Sequence, residues 1–153
     1  MSNVSDIKAK YIAPLGASTV NVAASQTTAG TTDIVLAATA AGLDNWNNVA
    51  TTLKFTSGSG TTNAIVFTIT GTDENGLAVT ATHTGPAGNA NNDTTQVFTS
   101  VTQISKPSAA TSLTIGTNAS ASGPIFSGRT RVRGMHVHAS TNAVALSLRN
   151  TSI

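Results

Sequence analysis

Apolar and polar residues alternate with a period of two along most of this chain, the pattern that sends successive side chains to opposite faces of a sheet. It is clearest from Asn63 to Thr84. Ile65, Phe67 and Ile69 share one side and Thr68 and Thr70 the other; Asp73-Glu74-Asn75-Gly76 then interrupts, and Leu77, Val79 and Ala81 resume. The unit predicts a β-hairpin turning at Asn75-Gly76, two residues that tolerate positive φ. Further strands are expected at Ser18 to Ala24, Asp33 to Ala37, Thr51 to Thr56, Thr95 to Ser105, Ser112 to Gly116, Thr130 to Ala139 and Ala143 to Arg149. Between them lie Ser57-Gly58-Ser59-Gly60, the stretch from Gly85-Pro86 through a polar run to Asp93, and Asn118 to Pro124, all rich in turn residues. Turn geometry is the expected reason for Gly58, Gly60, Gly71, Gly76, Gly85 and Gly88.

Many short strands with regular turn punctuation point to an all-β fold, an antiparallel β-sandwich or jelly-roll-like single domain, and not to alternating βαβ units. The expected boundaries are an extended N-terminal arm at residues 1–15 and the sandwich at residues 16–153, with Gly123 to Arg131 a second candidate arm. Ala37 to Ala50 is the one helix candidate, but Gly42 and the Asn-rich stretch around Trp46 favour a loop or a short helical turn. Trp46, the single tryptophan, is expected to anchor the core or its edge and not to serve as a ligand platform.

Composition narrows the function. Only 9% of the residues are charged, against about 25% in an average soluble domain. Hydrophobic residues nevertheless reach 39% and the formal net charge is only +2, so this is a folding composition and not a disordered one. So few charges defend a free monomer poorly against association, which makes the surface itself a candidate interface. Thr, Ser and Asn hydrogen-bond across a contact without the desolvation cost of an ion. With no cysteine, disulfides and thiolate chemistry are unavailable, and stability is expected from packing and oligomerisation. No stretch of about 18 apolar residues is present to cross a membrane as a helix. Nor does Met1-Ser2-Asn3-Val4 open a basic-then-apolar leader, so the protein is expected to be made and used in a cytoplasm or in a particle assembled there.

The stretch from Val66-Phe67-Thr68-Ile69-Thr70-Gly71-Thr72-Asp73 through Gly76 and Thr80 to Gly85-Pro86 is followed by Val97 to Ile104 and then by Ser112 to Gly116. This succession resembles a segment of small virion proteins of tailed bacteriophages, over about residues 50 to 117. The resemblance implies a capsid decoration (cement) protein, a head-fibre base or a tail part, and it implies no catalytic residue. Where that family often carries acidic residues, this chain has Ala81 and His83, so details of the partner do not carry over.

The residues themselves offer little for catalysis. The acidic set is Asp6, Asp33, Asp44, Asp73, Glu74 and Asp93 and the histidines are His83, His136 and His138, with no nucleophile elbow, zinc-protease helix or phosphate loop around them. No enzymatic activity and no cofactor are expected. His136 and His138 share one face of the expected strand, and a three-fold oligomer would gather them around its axis as candidate metal ligands. Two ligands per chain without a third are better explained as histidines hydrogen-bonding on a polar sheet face.

Candidate partner contacts fall at the two ends: Lys8, Lys10 and Tyr11 near the start, and Phe126 with Arg129, Arg131 and Arg133 towards the end. An aromatic flanked by arginines is a common anchor for a protein contact. Nucleic acid would call for a broader basic patch with stacking aromatics, which a chain with 4% aromatics lacks. The expected partners are therefore copies of the chain itself, as a homotrimer, and other virion proteins such as the major capsid protein, with no membrane. The expected location is the virion, assembled in the host cytoplasm. A tail, neck or fibre component is the alternative. A carbohydrate-binding β-module ranks lower, since Trp46 and Tyr11 are nearly all the chain offers for stacking on sugars.

Overall fold

The computed structural model describes residues 16–37, 49–58 and 63–118. Within them the chain forms β1 (Ala23–Thr28), β2 (Thr51–Ser57), β3 (Val66–Thr72), β4 (Ala78–Thr84), β5 (Asn91–Phe98), β6 (Ser100–Ser105) and β7 (Ala110–Thr117), and no helix. Two antiparallel sheets result, one ordered β1-β7-β2-β5 and the other β4-β3-β6. This is the all-β sandwich that the alternation predicts. The N-terminal arm, residues 38–48 with Trp46, and the strands expected at Thr130 to Ala139 and Ala143 to Arg149 lie outside the described residues.

The core sits between the sheets. Leu53 and Phe55 of β2, Phe67 and Ile69 of β3, Phe98 of β5, Ile104 of β6 and Leu113 and Ile115 of β7 are all fully buried in one cluster. The rings of Phe55 and Phe67 lie 5.0 Å apart at 47°, a tilted contact joining the two sheets at their middle. Burying each such side chain contributes about 1.5–3 kcal/mol. In β6 the inward residues Val101 and Ile104 are three apart and not two, because a bulge opposite Gly71 absorbs one residue. A Cβ on Gly71 would come within 2.0 Å of the Ser100 carbonyl oxygen. Close approach, not turn geometry, is therefore the reason for this glycine, contrary to the expectation from sequence.

Further expectations need correction. The strand expected from Thr95 to Ser105 is two strands in different sheets, and Asn91–Asp93 belong to β5 and not to a spacer. The chain changes sheet at Thr99, whose N–H donates to the Thr72 carbonyl at 2.8 Å and whose hydroxyl donates to the Asp73 carbonyl at 2.8 Å, pinning the corner to the β3–β4 hairpin. The first strand begins at Ala23, because the Ser18 hydroxyl accepts from the N–H groups of Val20 (3.3 Å) and Asn21 (3.2 Å) and bends the chain there.

Asp33 to Ala37 is extended but joins no ladder. Ile34 N–H donates to Ile104 of β6 (2.9 Å), and Ala37 N–H to Val22 just before β1 (2.8 Å). The segment thus closes one side of the sandwich, with the Gln26 side chain standing in for a backbone rung: its amide accepts from Val35 N–H and donates to Val35 C=O, both at 2.9 Å. In the hairpin turn only Gly76 has positive φ, +78°, and Leu77 is 65% exposed and does not continue the inward row. Asp73 sets this turn by accepting from the N–H groups of Asn75 (2.8 Å) and Leu77 (2.9 Å), and these bonds hold its carboxyl below the ordinary 3.8 despite opposing desolvation.

Candidate assembly interface

One end of the sandwich is tied shut. Asn63, fully buried, reaches two strands through its side chain: Nδ2 donates to the Ser57 hydroxyl of β2 (2.7 Å) and to the Thr111 carbonyl of β7 (2.9 Å), and Oδ1 accepts from Thr111 N–H (2.9 Å). Its own N–H donates to the Pro86 carbonyl at 2.9 Å. The loops after β2 and β4 and the start of β7 are therefore held by one side chain and its backbone. At the same end the Lys106 ammonium is buried among carbonyls, at 2.7 Å from Gly30, 3.1 Å from Ser108 and 3.5 Å from Thr28. Sequence reasoning singled out neither residue as functional. Both nevertheless continue an inward row by one period-two step, Asn63 ahead of Ile65 and Lys106 after Ile104.

Burial pushes the Lys106 ammonium below its ordinary 10.5, and the Asp33 carboxylate partly offsets this. With the folded value below the unfolded one, the unfolded chain binds more protons between the two values, so stability rises with pH across that window and levels off above 10.5. In urea unfolding at stepped alkaline pH, the wild-type protein is expected to gain stability relative to Lys106→Met. A constant difference between the two would contradict this account of Lys106.

At the other end lie Gly16 and Asn118, the first and last described residues. The Thr117 hydroxyl donates to the Gly16 carbonyl (3.2 Å), Ser18 N–H donates to the Thr117 carbonyl (2.9 Å), and the Asn21 side chain grips Thr117 through bonds of 2.7 and 2.9 Å. Asn118, one residue further on, bonds Thr52 through both its N–H (3.0 Å) and its Nδ2 (3.1 Å). Ala37 and Val49, which flank residues 38–48, lie at this end too, Ala37 bonded to Val22 and Val49 two residues before Thr51. Every sequence-derived contact candidate lies outside the described residues: Lys8, Lys10, Tyr11, Phe126, Arg129, Arg131 and Arg133, and likewise the pair His136 and His138. Gly16 and Asn118, the described residues that adjoin the two end segments, lie side by side.

The two outer faces differ. On the larger sheet Lys54 stands directly opposite Asp93. On the smaller sheet the cross-strand rows are Thr84–Val66, Thr82–Thr68–Ser105 and Thr80–Thr70–Gln103, exposed or half-buried and without a charge. Val66, 48% exposed, adds apolar area at one end of this face. His83 is turned inward, its ring 4.7 Å from that of Phe55 and its Nε2 3.0 Å from Asn92 Oδ1, so it closes the second side of the sandwich between β4 and β5.

Chemistry of other kinds finds little support. Among the described residues no three His, Asp or Glu side chains gather to hold a metal, and no helix is long and apolar enough to cross a membrane. Among the described residues, the depressions at Ala17–Thr19 beside Lys54 and Thr117 and at Ala24–Thr28 beside Val35–Ala37 are lined by no Asp, Glu or His. No family model matches the chain, and neither a curated protein nor a solved structure matches it.

Proposed function

We propose that this chain is a structural virion protein, a capsid decoration (cement) protein that stabilises a phage head by associating with itself and contacting the capsid lattice. The observation that carries this reading is the threonine-rich outer face of the β4–β3–β6 sheet, whose strand residues bear no charge and whose Gln103, at the β6 edge, holds the Asp33 carboxylate (2.7 Å). A face of hydroxyl and methyl groups packs repeatedly without stranding a buried ion, and such packing is what a lattice component needs. Gly16 and Asn118, the described residues that adjoin the basic and aromatic end segments, lie at the pole away from the loops held by Asn63 and Lys106. Those end segments contact the capsid protein, and the trimer is the expected unit.

The test is binding to particles that lack the protein. Deletion of residues 1–12, or Arg131→Ala with Arg133→Ala, is expected to leave circular dichroism unchanged and to reduce the copies that cosediment with the particles. Full occupancy by both variants at moderate salt would remove the end segments from the interface.

A further inference from the structure

A sandwich of two open sheets has four edge strands, and each edge offers a row of backbone donors and acceptors to any strand that approaches. Three of the four are protected here by described residues. The edge of β1 is spanned by the Gln26 side chain and followed by Val35 to Ala37, and β6 is met by Ile34. On β5 a bulge interrupts the ladder, with the Thr94 hydroxyl accepting from Leu53 N–H at 3.0 Å and donating to the Gln96 carbonyl at 2.7 Å, and Asp93 adds a charge. β4 has none of these devices. Its sequence, Ala78-Val79-Thr80-Ala81-Thr82-His83-Thr84, contains no Asp, Glu, Lys, Arg or Pro, and its pairing with β3 is free of bulges.

The phase of the β3–β4 ladder decides which groups face outward. Asp73 N–H donates to Leu77 C=O at 2.8 Å and Gly85 N–H to Ile65 C=O at 2.9 Å, so Val79, Ala81 and His83 spend their backbone groups on β3. Ala78, Thr80, Thr82 and Thr84 therefore aim theirs away from it. At Thr84 the carbonyl is already taken by Asn92 Nδ2 at 2.8 Å, and Leu77 is in the turn. The open edge thus runs from Ala78 to Thr82 with Thr80 at its centre, and the described residues supply it with no partner.

We propose that this edge is a homotypic contact, β4 pairing antiparallel with β4 of a second copy about a two-fold axis at Thr80. In that register Thr80 faces the partner's Thr80 and Ala78 faces the partner's Thr82, and each pair exchanges both of its N–H···O bonds. On the inward side Val79 meets the partner's Ala81, and on the outward side the threonine rows continue across the axis. The absence of charge on β4 is what admits a second copy: an edge bearing even one Lys or Glu near its centre would meet the same charge across the axis. This inference deepens the assembly reading above and rests on it for the statement that copies associate. An isologous contact closes at two copies. A trimer then uses a different surface, and trimers joined through β4 contain six copies.

Sedimentation velocity of the full chain at micromolar concentration tests both statements. The wild type is expected at two or six copies. Thr80→Lys, which places like charges against each other at the axis, is expected to halve that mass at about 0.05 M salt and to recover it near 1 M, where the Debye length falls to about 3 Å. Because the chain has no cysteine, Thr80→Cys is expected to oxidise to a covalent dimer, while Thr68→Cys, one strand further in, is not. A wild-type oligomer that ignores Thr80→Lys and yields no covalent dimer through Thr80→Cys would overturn the β4 contact and leave self-association standing. A wild type that stays monomeric would overturn both.

Discussion

Phe67→Ala is expected to lower the stability of the domain by about 3–5 kcal/mol, the usual cost of removing a buried phenyl ring from a core that cannot collapse around the gap. Phe67 is fully buried at the meeting of the two sheets, and its ring packs on Phe55, which in turn lies against His83. Deleting it therefore opens a void between layers and loosens the stacked row that joins β2, β3 and β4. Collapse into that void is resisted on both sides, by the segment Asp33–Ala37 and by the His83–Asn92 bond. Equilibrium unfolding in guanidinium chloride measures the loss. A change below about 1 kcal/mol would mean that Phe67 contributes little to the core.

Asn63→Ala is expected to cost about 2–4 kcal/mol even though it removes a polar group from the interior. The loss comes from what remains: the buried Ser57 hydroxyl loses its donor, and the part-buried Thr111 N–H and C=O are left without the Asn63 amide. Stranding a buried donor or acceptor costs about 1–3 kcal/mol per group, more than the net gain of making the bond. Asn63→Leu does no better, because it fills the space without serving Thr111. The same denaturant titration, with urea m-values compared, checks it. A loss within about 0.5 kcal/mol for Asn63→Ala would show that the loops are held by other contacts.

Period-two alternation carried most of the fold, since Leu53, Phe55, Phe67, Ile69, Leu113 and Ile115 all face inward in the phase the sequence implies. It failed where geometry breaks the period. From Phe98 to Val101 four consecutive residues are buried as the chain turns from one sheet to the other, so the corner at Thr99 reads as one continuous strand. Around β1 the apolar pattern is weak because a side-chain amide, Gln26, replaces a ladder bond, and side-chain amides leave no periodic trace. Glycines 71 and 85 look like turn residues in sequence, yet each is required by a backbone atom of a distant segment, 2.0 Å and 2.4 Å from where a Cβ would stand. The edge at β4 was not legible in advance. Its composition is in the sequence, but that no described residue pairs with it depends on where the other strands lie.

Counting copies in purified particles tests the assembly role most directly, by quantitative mass spectrometry of virions from a culture that encodes this chain. A decoration protein on the head lattice is expected at hundreds of copies per particle, each resistant to washing at moderate salt. A dozen copies or fewer would move the protein to the neck, tail or fibre, and absence from the particle would contradict the account.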